Sequence, residues 1–242
     1  MGAPVPRPPR ATPYNREVTV GDASVRFRDL TLGGFVDRLA SAEPVPGGGS
    51  ASAVAASLGA SLVAMVAALS EGRPKYAAHA ATHARIGGEG HTLATQFLEI
   101  ADEDSAAYGV FATAMKLPRD TDEERAARGM AIRAAAVVAA DVPMSCVRAC
   151  RSLVAAAEGL AGRSNANASS DLVVASLLGE AAARGAAANV RINMPSIGDE
   201  TLSARLEAEL VALLDDISTL ADTVRSVVAL GEARDPLPGD AP

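Results

Sequence analysis

The sequence predicts an all-α protein built as a compact bundle of long helices. Aromatic residues make up only 3% of the chain and tryptophan is absent, so small and aliphatic side chains must form the core. Such side chains allow helices to approach each other closely. Helical spacing of apolar residues runs from residue 31 to residue 230, and breaks rich in proline and glycine divide it into segments longer than ordinary strands.

The two ends of the chain differ from this helical region. Residues 1–16 are rich in proline and arginine, which indicates a disordered arm. Residues 17–30 form an extension whose alternating apolar residues predict a short β-hairpin as far as residue 28, the only sheet expected. Residues 231–242 again contain several prolines and are predicted to be a disordered tail. One helical domain is therefore expected over residues 31–230.

Caps and chain breakers predict where the helices begin and end. Thr31 can cap the first helix, and Thr121 with Glu124 has the pattern of a capping box at the start of the fourth. A kink is expected at Gly87-Gly88 within the third helix. The predicted helices span residues 31–40, 50–70, 75–115, 121–158, 171–190 and 200–230.

Composition and charge argue against several functions. The formal net charge is −7 and no basic run occurs, so no nucleic-acid partner is expected. Residues 44–70 carry no charge and are long enough to span a membrane, but they are mostly alanine, serine and glycine without an aromatic belt. This composition favours a helix buried in a bundle. No signal-peptide pattern is found, and a cytoplasmic location is expected.

Two pairs of side chains have a spacing that is typical of one helix face. Cys146 and Cys150 lie four residues apart, and we interpret them as reduced thiols in the core. His79 and His83 are also four apart, which is a spacing used for metal ligands. Neither the glutamate of HExxH nor a third ligand accompanies them, so no metal site is predicted.

The stretch "PVPGGGSASA" places three residues without side chains, Gly47, Gly48 and Gly49, before an apolar helix that Ser50 can cap. It contains neither the lysine of GxxxxGK[ST] nor a GxGxxG fingerprint. The N-terminus of such a helix presents N–H groups and the positive end of the helix dipole, which suits a flat ligand with anionic or carbonyl groups. A plain tight turn is the alternative interpretation.

Lysine is rare in this chain. Of the 22 lysines and arginines only Lys75 and Lys116 are lysines, and both stand at chain breaks, in "GRPKY" and "MKLPRD". Because lysine can shift its pKa and transfer a proton whereas arginine stays charged, both are candidate catalytic groups, although chance placement also explains them. Asp104 lies in the acidic segment "DEDSAAY", a pattern that is usually a solvated face.

Polar segments adjoin both ends of the fifth predicted helix. The segment "SNANASSD" carries Asn165 and Asn167 and ends at Asp171, a candidate helix cap. Near the other end, Asn189 and Asn193 lie four apart on one face. Since amide side chains form helices poorly, such positions suit residues that contact the polar edge of a ring.

Six segments, in this order, resemble the formiminotransferase-cyclodeaminase family, and more narrowly its cyclodeaminase/cyclohydrolase domain. The resemblance covers residues 30–230 and rests on "PVPGGGSASA", "GRPKY", "KLPRDTDEERAAR", "DVPMSCVRACR", "SNANASSD" and "NVRIN". It implies an all-helical fold, a homodimer and a tetrahydrofolate substrate, with no metal and no cofactor beyond the folate itself. Ser164 departs from the family pattern, in which glycine is common at this place.

The segment around residues 146–151 is most similar to methenyltetrahydrofolate cyclohydrolases of this family. These enzymes open the methenyl bridge of 5,10-methenyltetrahydrofolate with water and give 10-formyltetrahydrofolate. A formiminotetrahydrofolate cyclodeaminase, which releases ammonia and forms the methenyl compound, is the first alternative. A folate-binding protein without turnover is the second. The sequence does not distinguish the two reactions, because both need the same pocket.

The resemblance also suggests roles for the candidate residues. Asp171, as first choice, or Asp104 would place a carboxylate beside the cationic methenyl carbon and hold the attacking water. Lys75 or Lys116 would donate a proton to the leaving nitrogen. The expected folate contacts are a floor for the pterin ring made by Gly47, Gly48, Gly49 and Ser50, ring contacts from Asn165, Asn167, Asn189 and Asn193, the glutamate tail on Arg73, and Tyr76 of "GRPKY".

Overall fold

The structure, a computed structural model, describes residues 26–238. Within that range the chain forms six α-helices and three short 3₁₀ turns, and the prediction of an all-α bundle is confirmed. The 3₁₀ turns are Phe27–Asp29, Pro74–His79 and Ala166–Ala168. The α-helices are α1 (Leu32–Leu39), α2 (Gly48–Ala68), α3 (Ala80–Met115), α4 (Asp122–Leu160), α5 (Ser169–Ile197) and α6 (Glu200–Leu230).

The helices α2, α3, α4 and α5 form the centre of the bundle. Helix α2 packs on α3 and α5, α4 packs on the same two helices, and α6 covers one side by packing on α4 and α5. Alanine, leucine and valine make up most of the core, as the composition predicts. At Gly90 a Cβ would lie 2.9 Å from the backbone nitrogen of Ala64, so α2 and α3 approach through their backbones.

Two predicted helix caps are confirmed. Thr31 Oγ1 accepts a hydrogen bond from the Gly34 N–H at 3.0 Å at the start of α1. At the start of α4, Thr121 Oγ1 accepts from the Glu124 N–H at 3.1 Å, and the Glu124 carboxylate accepts from the Thr121 N–H at 3.1 Å. This capping box therefore sets where α4 begins.

Two other predicted caps are wrong. Helix α2 begins at Gly48 with Gly47 as its N-cap, so Ser50 lies inside the first turn and its hydroxyl reaches a different helix. Helix α5 begins at Ser169 with Ala168 as its N-cap, so Asp171 lies in the first turn without capping the helix. In both places the preceding loop, rather than a side-chain acceptor, determines where the helix begins.

The ends of α3 and α5 also differ from the prediction. Helix α3 begins at Ala80, because the preceding segment Pro74–His79 forms a tight 3₁₀ turn. It continues as α-helix through residues 87–88, where a kink was expected. Helix α5 extends to Ile197, beyond its predicted end, and includes Pro195 near its last turn. A proline so close to the helix end removes only one N–H from the hydrogen-bond ladder.

The chain ends are described in part. The predicted arm and most of the predicted hairpin lie outside the described residues, and the described part of the hairpin segment belongs to the 3₁₀ turn Phe27–Asp29. The disordered tail expected over residues 231–242 stays a prediction, and its described part, residues 231–238, contacts the loop between α4 and α5. There the Arg234 N–H donates to the Gly162 carbonyl at 3.0 Å. This contact gives a backbone N–H group of the segment a hydrogen-bond partner.

Two helices within residues 26–238, α2 and α4, are long and apolar enough to cross a membrane by length and hydropathy alone. In the bundle, 50% of the most apolar stretch of α2 and 44% of that of α4 are buried inside the protein. Core helices of a bundle have the same apolar character, so packing accounts for it. The expectation that no membrane is involved stays a prediction.

Candidate active site

The N-terminus of α2 meets the middle of α3 at a largely buried contact. The Ser50 hydroxyl lies 2.9 Å from Asp104 Oδ2 and 3.1 Å from the Ala101 carbonyl oxygen, so it bridges two groups of α3. Gly49 lies against the same carboxylate, because a Cβ at Gly49 would come within 2.6 Å of Asp104 Cγ. A residue without a side chain is therefore what lets Asp104 approach the helix end this closely.

Asp104 is a carboxylate whose surroundings shift its pKa. Burial raises the pKa of its carboxyl group above the ordinary value, because desolvation penalises the charged form. The Ser50 hydroxyl and the Ser50 backbone N–H donate to the carboxylate and lower the pKa, which partly offsets burial. A raised pKa makes an ionised carboxylate a stronger base. The expectation of a solvated acidic face is therefore wrong for this residue.

Asn189 and Asn193 lie on the part of α5 that approaches this contact, and their amide groups also hold the fold. Asn189 Nδ2 lies 3.8 Å from the point that a Cβ on Gly48 would occupy, and it donates to the Gly185 carbonyl at 3.0 Å. Asn193 Nδ2 donates to the Ala139 carbonyl of α4 at 2.8 Å and to the Asn189 carbonyl at 2.9 Å. Asn189, rather than Asn193, therefore borders the exposed backbone of Gly48.

A second group of predicted residues lies at the C-terminal end of α2. The Asn165 N–H donates to Ser70 Oγ at 2.8 Å, which attaches the loop between α4 and α5 to the end of α2. Asn165 Oδ1 accepts from the Asn167 N–H at 3.1 Å, and Asn165 Nδ2 donates to the Leu69 carbonyl at 3.4 Å. Asn165 is buried and shapes the loop, whereas Asn167 is exposed to solvent.

The "GRPKY" segment contacts the same loop. The Ala166 N–H donates to the Tyr76 hydroxyl oxygen at 3.1 Å, and Lys75 Nζ lies 5.3 Å from the centre of the Tyr76 ring. The Ala166 N–H lowers the pKa of Tyr76, burial acts in the opposite direction, and Lys75 and Arg73 lower the pKa further. Lys75 and Arg73 are exposed, so this corner presents positive charge to an anionic or electron-rich ligand.

The predicted site residues therefore divide between two ends of α2. The glycine end comprises Gly47, Gly48, Gly49, Ser50, Asp104, Asn189 and Asn193, and the loop end comprises Arg73, Lys75, Tyr76, Asn165, Asn167 and Asp171. The 21 residues of α2 separate these ends by about 30 Å, at 1.5 Å per residue. Lys116 belongs to neither end, because it follows α3 roughly 18 Å along the helix from Asp104. Both lysines of the chain are thus distant from Asp104.

The structure also contains an apolar groove between α3 and α4 that the sequence did not indicate. It has a volume of about 760 Å³, begins at Ala106 near Asp104, and ends at Leu117 beside Lys116. Val110 and Val138 line it and are exposed. Val110 and Leu117 are spaced as on one face of a helix, but the core of a bundle requires the same pattern, so the spacing alone does not predict a groove.

The histidine and cysteine pairs serve the fold. His83 is buried, and its Nε2 donates to the Arg163 carbonyl at 2.8 Å. The rings of His79 and His83 lie 6.2 Å apart. Across residues 26–238 no group of three or more histidine, cysteine, aspartate or glutamate side chains could hold a metal ion. Cys146 and Cys150 are buried in α4 and are not disulfide-bonded, as expected for core thiols.

Comparison with known proteins identifies the family. The model of the family described as "Formiminotransferase-cyclodeaminase" matches residues 31–212, which is most of the chain. The chain belongs to the formiminotransferase-cyclodeaminase family. The match begins at the residue that caps α1 and ends within α6, so both ends of α2 lie inside the region typical of the family.

Relatives with two different activities are similar to this chain. A methenyltetrahydrofolate cyclohydrolase of Methylorubrum extorquens is 36% identical over 198 residues, which cover 82% of this chain and 95% of that protein. A formimidoyltransferase-cyclodeaminase of Mus musculus is 32% identical, but the match covers only 36% of its length. The crystal structure of a formiminotetrahydrofolate cyclodeaminase from Thermotoga maritima aligns with a TM-score of 0.76 at 27% identity, covering 84% of this chain and 97% of that chain.

Proposed function

We propose that this chain is a methenyltetrahydrofolate cyclohydrolase. The observation that carries the proposal is the contact at the glycine end, where a carboxylate of raised pKa lies against bare backbone at a helix N-terminus. The cyclohydrolase of Methylorubrum extorquens is similar to the chain over most of both lengths, which favours this reaction. A formiminotetrahydrofolate cyclodeaminase is the alternative, and the similarity to the Thermotoga maritima structure favours it.

The chemistry of this reaction needs a base and a proton donor. In 5,10-methenyltetrahydrofolate the methenyl carbon is bonded to N5 and N10 and shares a positive charge with them. Ionised Asp104 would stabilise that charge and accept a proton from water while the water oxygen bonds to the carbon. Cleavage of the bond to N5 then leaves a formyl group on N10. One hydrogen of the water ends on N5 and the other is released.

The glycine end would bind the pterin ring. Gly48 is exposed and has no side chain, so a flat ring could approach the α2 backbone closely, and Asn189 lies beside it to contact the ring edge. Asp104 thereby replaces Asp171 as the proposed base. The proposed steps use no metal and no cofactor beyond the folate, and the cytoplasm stays the expected location.

We expect the proton donor to come from a second subunit. Each lysine of the chain is distant from Asp104, yet an apolar face runs along α2 and α5 from the loop end towards the glycine end. Leu58 of α2 is 54% exposed and Leu177 of α5 is 48% exposed. Leu58, Met65 and Leu69 lie seven and four residues apart, which is the spacing of a helix–helix seam. We infer that a second copy of the chain covers this face and forms a homodimer.

The direction of α2 and α5 determines which ends meet in such a dimer. The two helices run antiparallel, because Gly48 lies beside Asn189 at one end and Ser70 binds Asn165 at the other. A two-fold axis perpendicular to α2 would bring the glycine end of one copy to the loop end of the other. Each site would then combine Asp104 of one copy with Lys75 of the partner subunit. Lys75 is therefore favoured over Lys116 as the proton donor.

The absorbance band of 5,10-methenyltetrahydrofolate tests the proposed reaction. We expect catalytic amounts of protein to remove the band, with the Asp104→Asn variant as the control for spontaneous hydrolysis. A shift of the band without its loss would indicate folate binding without turnover. Ammonia release from 5-formiminotetrahydrofolate would instead support the cyclodeaminase. If neither compound is bound or changed, the proposal is wrong.

A further inference from the structure

A C-terminal strap, residues 231–238, contacts the loop that carries Asn165 and Asn167. The Arg234 N–H donates to the Gly162 carbonyl at 3.0 Å, and Arg163 Nε donates to the Asp235 carbonyl at 2.7 Å. The strap therefore exchanges hydrogen bonds with two successive residues of the loop. It lies beyond residue 212, where the match to the family ends.

The Arg234 side chain fastens the strap to the end of α4. Its Nη1 lies 2.6 Å from Glu158 Oε1 and 3.2 Å from the Glu158 carbonyl oxygen. The two side chains are only 26% and 20% exposed, so this ion pair is shielded from solvent more than a typical surface pair. Glu158 lies two residues before Leu160, where α4 ends, directly ahead of the loop.

Gly162 is where the loop and the strap approach most closely. Its φ of 74° lies in the left-handed region, and a Cβ would come within 2.5 Å of the Glu232 carbonyl oxygen and 3.0 Å of Arg234 Cγ. The loop therefore turns at a residue that both its conformation and the strap require to be glycine. The next residue, Arg163, is held from the other side, since its carbonyl accepts a hydrogen bond from His83.

The bonds continue from this turn to the proposed substrate-binding residues. Three residues after Gly162, the Asn165 N–H donates to Ser70 Oγ, and the Ala166 N–H donates to the Tyr76 hydroxyl oxygen. The strap, the loop and the turn that carries Lys75 are thus one connected set of hydrogen bonds. A displacement of the loop at Gly162 would move both contacts.

We propose that the strap positions the loop end for folate binding, with Arg234 as a positioning residue. The inference rests on the proposed function, in which the loop end of one copy completes the folate site of its partner. Arg234 touches no proposed folate contact itself and acts through Gly162 and Glu158. The strap replaces mobility of the loop by a fixed arrangement, which reduces the entropy lost when a ligand binds.

The variants Arg234→Ala and Arg234→Lys test this proposal, with Arg151→Ala as the matched control. Arg151 also forms an ion pair, with its Nε 2.7 Å from Asp216 Oδ2, but it joins α4 to α6 away from the loop. The first readout is hydrogen–deuterium exchange of the Asn165 and Ala166 amides without ligand. We expect these amides to exchange about tenfold faster in Arg234→Ala than in the wild-type protein. The exchange rate should be intermediate in Arg234→Lys and unchanged in Arg151→Ala.

The second readout is the split between KM and kcat for 5,10-methenyltetrahydrofolate. Loss of ordering at the loop end should raise KM about tenfold, because ground-state binding is weakened. The kcat should change by less than about threefold, because Asp104 is untouched and Lys75 lies on a separate turn, Pro74–His79, which contacts the loop through the Tyr76 hydroxyl. The KM of Arg234→Lys should lie between that of the wild-type protein and that of Arg234→Ala. If the wild-type protein binds without turnover, the dissociation constant of the same compound replaces KM.

Two results would contradict the proposal that the strap positions the loop end. Unchanged amide exchange in Arg234→Ala would show that the strap does not hold the loop. Faster exchange with unchanged KM or dissociation constant would show that it stabilises the loop without positioning it for folate. A wild-type protein that neither binds nor converts the folate refutes the proposed function and the folate role of the strap together, whereas the exchange result alone still decides whether the strap orders the loop.

Discussion

At the glycine end of α2 one carboxylate lies against bare backbone, whereas at the loop end separate segments are joined by hydrogen bonds from backbone N–H groups to Ser70, Tyr76 and Asn165. At the glycine end Gly48 is exposed, and the largely buried carboxyl group of Asp104 has a raised pKa. The loop end is tightly connected and carries exposed positive charge. Under the proposed function, the first end would supply the base, and the second would supply shape and the proton donor.

Removing the carboxylate charge should distinguish the two ends most strongly. Asp104→Asn keeps the side-chain shape but removes the base, so we expect kcat to fall by about 100-fold or more. Asp171→Asn makes the same change at the loop end and should lower kcat by less than about tenfold. Steady-state loss of the methenyl absorbance measures both. Equal loss in the two variants would show that the ends do not have these separate roles.

Adding one methyl group at either of two neighbouring glycines should distinguish the residue that positions the base from the residue that contacts the pterin ring. In Gly49→Ala the new Cβ would meet the Asp104 carboxylate, which must move aside, so we expect kcat to fall on the order of tenfold with the melting temperature nearly kept. In Gly48→Ala the nearest atom, Asn189 Nδ2, is 3.8 Å away, so the fold accepts the methyl group. There the exposed methyl should raise KM instead. The reverse pattern of kcat and KM would contradict this assignment.

The smallest predicted effect is a change in the pH profile of Ser50→Ala. Burial raises the pKa of Asp104 and the Ser50 hydroxyl lowers it, so removing the hydroxyl raises that pKa further. Because the base must be ionised, activity is lost as pH falls through this pKa. The acidic limb of kcat/KM should therefore move to higher pH in Ser50→Ala, while Ser52→Ala serves as the control. An acidic limb of kcat/KM that stays at the same pH in Ser50→Ala would show that ionisation of Asp104 does not determine this limb.

Much of the fold could be predicted from the sequence, because local signals determine it. The capping box at Thr121 and Glu124 and the cap at Thr31 have short-range causes, and the structure has both. Ser50 was expected to cap α2 for the same reason. Its hydroxyl binds Asp104 instead, 54 residues away, and no local pattern reports such a contact. The hydrogen bond of residues 231–238 to the loop after α4 likewise joins residues that are distant in the sequence.

The candidate residues could be named from the sequence, but their grouping could not. Motifs in order along a chain give no distances, and the length of α2 places the glycine end and the loop end on opposite sides of the bundle. Asp171 and the glycines therefore do not meet within one chain. Asp104 was the second choice because an acidic segment is usually solvated, whereas its burial by α2 is a tertiary effect.

The central claim is that each site combines the glycine end of one copy with the loop end of its partner, and hybrid dimers test it most directly. Asp104→Asn and Lys75→Ala chains, carrying different affinity tags, are expressed together and the hybrid dimer is purified. Each variant homodimer should be nearly inactive. A shared site predicts that the hybrid regains about half of the wild-type activity, because one of its two sites then contains both Asp104 and Lys75. A hybrid no more active than its parents, or a fully active Lys75→Ala homodimer, would contradict the claim.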